Sequence, residues 1–236
     1  MTMTMKQPVR WRSDRLFFTG MALISLLTVL VGFAPTYFLR SSALPPLTSF
    51  YQLHGLVFVS WILLFVTQTA LVAGHRTDVH RRLGVAGVLI ASAVLIVGFL
   101  VSIETLRRGG GTQIAEPRAF LSIPLGDMIT FAALVGAAVA LRRRADAHKR
   151  LMLLATITIL TAAIARFLAQ INIGGTAFIF LGTDLFVLAV ILYDFASRGA
   201  IHPASLWGGA LVVIFKPLLF VASGTSAWHS FADALR

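Results

Sequence analysis

The stretch from Arg76 to Thr105, RTDVHRRLGVAGVLIASAVLIVGFLVSIET, decides the fold. From Leu83 to Ile103 it carries no charged side chain, and about 20 such residues in a helix cross the roughly 30 Å hydrocarbon core of a bilayer. Its apolar residues are not confined to one stripe, which suits a helix facing lipid and other helices rather than water. Runs of the same kind lie on either side, at approximately Leu16 to Leu39, Phe50 to Ala73, Ala119 to Leu141, Arg150 to Asn172, Thr176 to Phe195 and Leu206 to Gly224. With Leu83 to Thr105 they predict an all-α membrane protein, a bundle of about seven transmembrane helices. A membrane β-barrel would need short alternating strands instead, and the sequence has none of that pattern.

Composition agrees. Of 236 residues 58% are hydrophobic and 12% charged, against about 25% charged in ordinary soluble domains. The net charge of +11 does not point to nucleic acid, because the basic residues sit in short blocks between apolar runs rather than on one water-exposed face. Cysteine is absent, which excludes disulfides and thiolate metal sites. The first run is longer than the roughly 7 to 15 residues of a cleavable signal core, so it is read as a retained span. The organisation expected is a basic segment over 1–15, a transmembrane domain over 16–224 and a short external tail over 225–236.

Lys and Arg mark the cytoplasmic side of membrane proteins. Lys6, Arg10, Arg12 and Arg15, then Arg76, Arg81 and Arg82, then Arg142, Arg143, Arg144, Lys149 and Arg150, and finally Arg198 fall on one side. Only Arg40, Arg107, Arg108, Arg118 and Arg236 fall on the other. The expectation is an N-terminus inside, a C-terminus outside and a location in a bacterial inner membrane, with Trp11 and Trp207 near the inner boundary and Trp228 near the outer one. The blocks would meet anionic lipid headgroups.

Two of those blocks repeat. Arg76-Thr-Asp78-Val-His80-Arg81-Arg82-Leu83 reads almost as Arg144-Ala-Asp146-Ala-His148-Lys149-Arg150-Leu151, and each opens a span from the inside. This predicts a weak two-helix internal repeat, spans two and three matching four and five. Asp78 and Asp146 are expected to cap the incoming helices while the basic residues hold the helix ends at the headgroups. His80 and His148 are candidate metal ligands.

On these residues the chain resembles uncharacterised bacterial multi-pass membrane proteins that carry a His-Arg-x-Leu-Gly box and a second histidine box followed by an apolar stretch ending in Ala-x-x-Arg. Here the boxes are His80-Arg81-Arg82-Leu83-Gly84 and His148-Lys149-Arg150-Leu151-Met152, and the ending is Ala163-Ile-Ala-Arg166. The resemblance covers roughly residues 50 to 175 and implies a membrane bundle without implying an activity.

Five ionisable residues fall inside the spans: His54, Asp127, Arg166, Asp184 and Lys216. A charge at mid-membrane costs about 2.5 to 3.5 kcal/mol even on the lenient insertion scale, so these groups should face inward and meet partners. At 1.5 Å per residue Asp127 and Asp184 lie about 12 Å deep, Arg166 and Lys216 about 9 to 12 Å and His54 about 6 Å, all from the outer side. They are read as one ligand or ion-pair cluster in the outer half of the bundle, extended by Gln52 and Gln170. Gly126 and Gly182, beside the aspartates, permit close helix approach, and Pro217 frees a backbone carbonyl beside Lys216. Asp194 and Arg198, four apart at an inner helix end, read as an ordinary surface pair.

The function these residues favour is binding or transport of a small polar or ionic solute through that cavity, with Arg166 and Lys216 drawing an anion. One alternative is a b-type haem or metal redox protein using His80, His148 and His54, with haem as its cofactor. Another is a non-catalytic membrane scaffold. No Gly-x-Ser-x-Gly, His-Glu-x-x-His or phosphate loop occurs, which favours a non-enzymatic role.

Overall fold

The computed structural model describes residues 7–42, 44, 46–110 and 116–236, with side chains from residue 13 onward. Lys6 and the side chains of Arg10, Trp11 and Arg12 lie outside the described residues. The described residues form α1 (Gln7–Phe33), α2 (Ser49–Ala73), α3 (Thr77–Arg107), α4 (Pro117–Ala140), α5 (Ala145–Thr158), α6 (Thr161–Gln170), α7 (Thr176–Arg198), α8 (Pro203–Ala222) and α9 (Ser226–Ala234). They contain no strand. Six helices are long and apolar enough to cross a membrane, and α5 with α6, bent by 45° at a short break, passes the same test as a pair and gives a seventh if the two cross as one span. The chain is an all-α, multi-pass membrane protein.

Six long helices follow one another around a ring, in the order α1, α2, α3, α4, α8, α7. α5 fills the interior against α4, α8, α1 and α7, and α6 leaves it to wedge between α1 and α7. Burial follows from that position. Leu153, Leu154, Ala155, Ile157 and Leu160 are fully buried, whereas Leu89, Ile96, Leu185, Leu192, Ile214 and Leu218 on the ring helices are exposed, as side chains facing lipid must be.

The bend falls in Thr156-Ile-Thr158-Ile-Leu-Thr161, which has neither Pro nor Gly. Thr156 donates its hydroxyl to the Met152 carbonyl at 3.0 Å and Thr161 can donate to that of Thr158 at 2.9 Å. Such back-bonding by threonine competes with the helix ladder and bends helices. Outside the bend α6 lies tight on α1, where a Cβ on Gly32 would stand 2.3 Å from the Ala163 carbonyl oxygen. Gly182 does the same for α7 and α6, since a Cβ there would meet the Ile164 side chain at 2.5 Å.

The last residues are not a free tail. α9 packs on α4 through Ala232 against Leu106, Leu121 and Leu125. Arg118 donates two hydrogen bonds of 2.9 Å to the Asp233 carboxylate, and the Trp228 indole donates to the Arg118 carbonyl at 2.8 Å. Trp207, at the other end of the bundle, is 74% exposed.

Candidate functional site

Two groups of polar side chains interrupt this apolar bundle. The first lies at the bend. Asp127 of α4 and Lys216 of α8 are 6% and 1% exposed, and the lysine Nζ stands 3.2 Å from the carboxylate Oδ1. Thr161, the first residue of α6, bridges them. Lys216 donates to its Oγ1 at 3.0 Å, and that oxygen lies 3.1 Å from Asp127 Oδ1, to which the hydroxyl can donate. Gly126 faces α8 here, but a Cβ built on it would stand an ordinary 3.5 Å from the Lys216 Cγ, so the approach of the two helices does not depend on the glycine. Three elements thus place one anion, one cation and one hydroxyl in contact, away from lipid.

The other members of the expected cluster stand apart from this triad. Asp184, on α7, is half-buried and within electrostatic range of Lys216. Arg166 is exposed, lies over the Phe33 ring with its guanidinium 4.5 Å from the centroid, and donates to the Ala162 carbonyl at 3.3 Å. Among the described residues neither Arg166 nor Asp184 forms an ion pair. His54 packs against Phe58 one turn away, ring centroids 4.3 Å apart and planes inclined by 43°. Gln52 and Gln170 do not extend the network. They donate instead to backbone carbonyls, Gln52 to Leu47 at 3.3 Å and Gln170 to Val31 and Gly32 at 3.1 Å.

The second group lies at the end of the bundle that carries the repeated boxes. Arg150 and Asp194 are both 0% exposed. They form an ion pair through two guanidinium nitrogens, with Arg150 Nε donating at 2.9 Å. Lys149 bridges Asp14 and Asp146 at 2.7 Å each, and Arg198 reaches Asp146 at 3.4 Å. Tyr193 donates to Asp14 at 2.5 Å, and the His202 backbone N–H donates to Asp194 at 3.1 Å. Three carboxylates, Asp14, Asp146 and Asp194, therefore meet three cations, Lys149, Arg150 and Arg198, tying α1, α5 and α7 together.

The structure corrects three expectations. Asp194 and Arg198 are not a surface pair, because Asp194 turns into the bundle toward Arg150 while Arg198 goes to Asp146. Nor can Arg150 hold a helix end at headgroups, since no part of it reaches the surface. The aspartates of the boxes also cap no helix: Asp78 and Asp146 sit in the first turns, but neither helix start carries a side-chain cap. Asp78 is exposed, 3.8 Å from Arg76. Arg81 and Arg82 are exposed as well.

The two box histidines meet. The His80 and His148 rings are 6.3 Å apart in an edge-to-face arrangement, and His148 Nδ1 donates to the Ala138 carbonyl at 2.8 Å. Among the described residues no three His, Cys, Asp or Glu side chains converge as a metal cluster. Asp14, Thr161 and Tyr193 were not singled out by the sequence, which offers no signal for them beyond one acidic residue in a basic segment.

Comparison with known proteins adds nothing to this geometry: no family model, no curated protein and no solved structure matches the chain.

Proposed function

We propose that this membrane protein binds or carries a small ionic solute, and that the solute's charge is met at Asp127, Thr161 and Lys216. The observation that carries this reading is the buried pair itself, held on separate helices and bridged by the residue that opens the bent half of the fifth span. Buried ion pairs stabilise less well than apolar residues of the same volume, so a triad kept inside a bundle this apolar points to use rather than to packing. Intramembrane ionisable groups generally mark such sites, and carriers place them where a spanning helix is interrupted. A solute anion would replace Asp127 as partner of Lys216, and a solute cation would replace Lys216 as partner of Asp127. Thr161 can donate to the first or accept from the second. Arg166 and His54 then stand on the outer approach, and Asp184 adds a second negative charge near Lys216. The boxes are assigned to the cytoplasmic side of a bacterial inner membrane on their arginine content, and membership of the uncharacterised family with paired histidine boxes is part of the same proposal.

Proteoliposomes on a solid-supported membrane test it. Concentration jumps of chloride, acetate, inorganic phosphate, glycine and protons should give a charge displacement with at least one probe. That signal should vanish in both Asp127→Asn and Lys216→Met. Silence toward every probe, or a response indifferent to both substitutions, would refute the assignment.

A further inference from the structure

The sequence spreads basic residues over four segments at one end of the bundle, but the structure neutralises them unevenly. Lys149, Arg150 and Arg198 are answered one for one by carboxylates, and Arg15 is turned onto the His75 ring at 2.5 Å. Of the described arginines left without a carboxylate at this end, four stand at the two boxes. Arg81 and Arg82 at the start of α3 and Arg143 and Arg144 in the α4–α5 turn are exposed and form no ion pair. The two carboxylates of the boxes are taken by other cations, Asp78 by Arg76 and Asp146 by Lys149 and Arg198. The 6.3 Å contact of His80 with His148 joins these two segments into a single surface.

Three further facts suit that surface to an anion. α3 and α5 both begin here, and helix starts present unpaired N–H groups and the positive end of the macrodipole. His80 Nδ1 is buried without a hydrogen-bond partner in the seam between the boxes, while His148 Nδ1 is already committed to Ala138. The patch also lies where apolar spans end, at the depth of lipid headgroups rather than in bulk water.

We infer that this surface is a binding site for the phosphate of an anionic phospholipid. Arg81 and Arg82 grip the phosphodiester from α3 and Arg143 and Arg144 from the α4–α5 turn, while the packing of His80 on His148 holds the two segments together. Guanidinium forks match phosphate oxygens in pairs. The site is independent of the solute-binding triad, which lies at the bend of the fifth span.

Native mass spectrometry of the full chain, released from mixed micelles of equimolar phosphatidylglycerol and phosphatidylcholine, reads the preference directly. One phosphatidylglycerol should be retained over phosphatidylcholine by roughly tenfold or more. The quadruple variant R81Q/R82Q/R143Q/R144Q should lose that preference, H80F should weaken it, and R107Q at the opposite end should keep it. All these arginines are exposed, so the variants should elute as the wild type does in size exclusion. Equal retention of both lipids would overturn the site, as would a preference that survives the quadruple change. Displacement of the lipid by excess inorganic phosphate would also overturn it and assign the patch to free phosphate.

Discussion

Arg150 shows most sharply what one side chain does in this molecule. A guanidinium with no exposed surface is tolerable only because Asp194 takes its charge, with the Asp146 carbonyl accepting from Nη1 at 2.9 Å. Phe18 covers it, the ring centroid 5.8 Å from the guanidinium carbon. Removing one partner of such a pair costs about 3 to 5 kcal/mol, because the other charge stays buried and alone, whereas replacing both with apolar residues can be neutral. Arg150→Met and Asp194→Leu are each expected to lower stability by that amount, and the double variant to recover most of the loss. Denaturant unfolding in micelles measures all three, and additive losses would mean that the two residues act separately. Position along the chain set Asp127 and Lys216 at matching heights, because rise per residue is fixed in a helix, and the two meet at 3.2 Å. It could not foretell Asp194, because the four-residue spacing to Arg198 is satisfied equally well when the aspartate faces the other way.

At the scale of elements, α9 is held to the start of α4 by charge as well as by Leu106, Leu121 and Ala232. The hydrogen bonds from Arg118 keep the Asp233 carboxyl below its ordinary value of 3.8. A carboxylate whose pKa is depressed by folding adds stability that is complete above its unfolded pKa and is lost as pH falls through the folded one. α9 should therefore stay docked at neutral pH and loosen only under acid conditions below the ordinary carboxylate range. Trp228 fluorescence reports the release, and Asp233→Asn should remove its pH dependence while weakening the docking at every pH. A transition near neutral pH would assign the docking to some other group. Sequence made the helices legible but neither α9's docking nor the break between α5 and α6. A nine-residue helix with a Trp and a Phe on one side reads equally as a tail, and the break has no proline or glycine to announce it. Threonine hydroxyls bonded to carbonyls one turn back stand at the break, but serines and threonines bond the same way in the unbroken α2 and α3.

For the whole molecule the decisive quantity is the number of crossings, since an odd number places the two termini on opposite sides. Span length and apolarity, which the bilayer dictates, read as about seven in the sequence and as six helices plus the bent pair α5 and α6 in the structure. The ring with α5 inside was not legible, since every span is apolar enough to face lipid and only packing decides which one does not. The absence of cysteine makes the topology directly testable, because any introduced thiol is the sole target. Ser42 and Ser230 lie at one end of the bundle, Arg143 and Ala200 at the other, and all four are exposed. If arginine content sets the orientation, a membrane-impermeant maleimide added to intact cells should label Ser42→Cys and Ser230→Cys at once. Arg143→Cys and Ala200→Cys should react only after the membrane is opened. The opposite pattern would invert the bundle and put the repeated boxes on the outer side. Labelling of Ala200→Cys and Ser230→Cys from the same side would mean that α8 does not cross, leaving Lys216 without a membrane-spanning helix to carry it to Asp127.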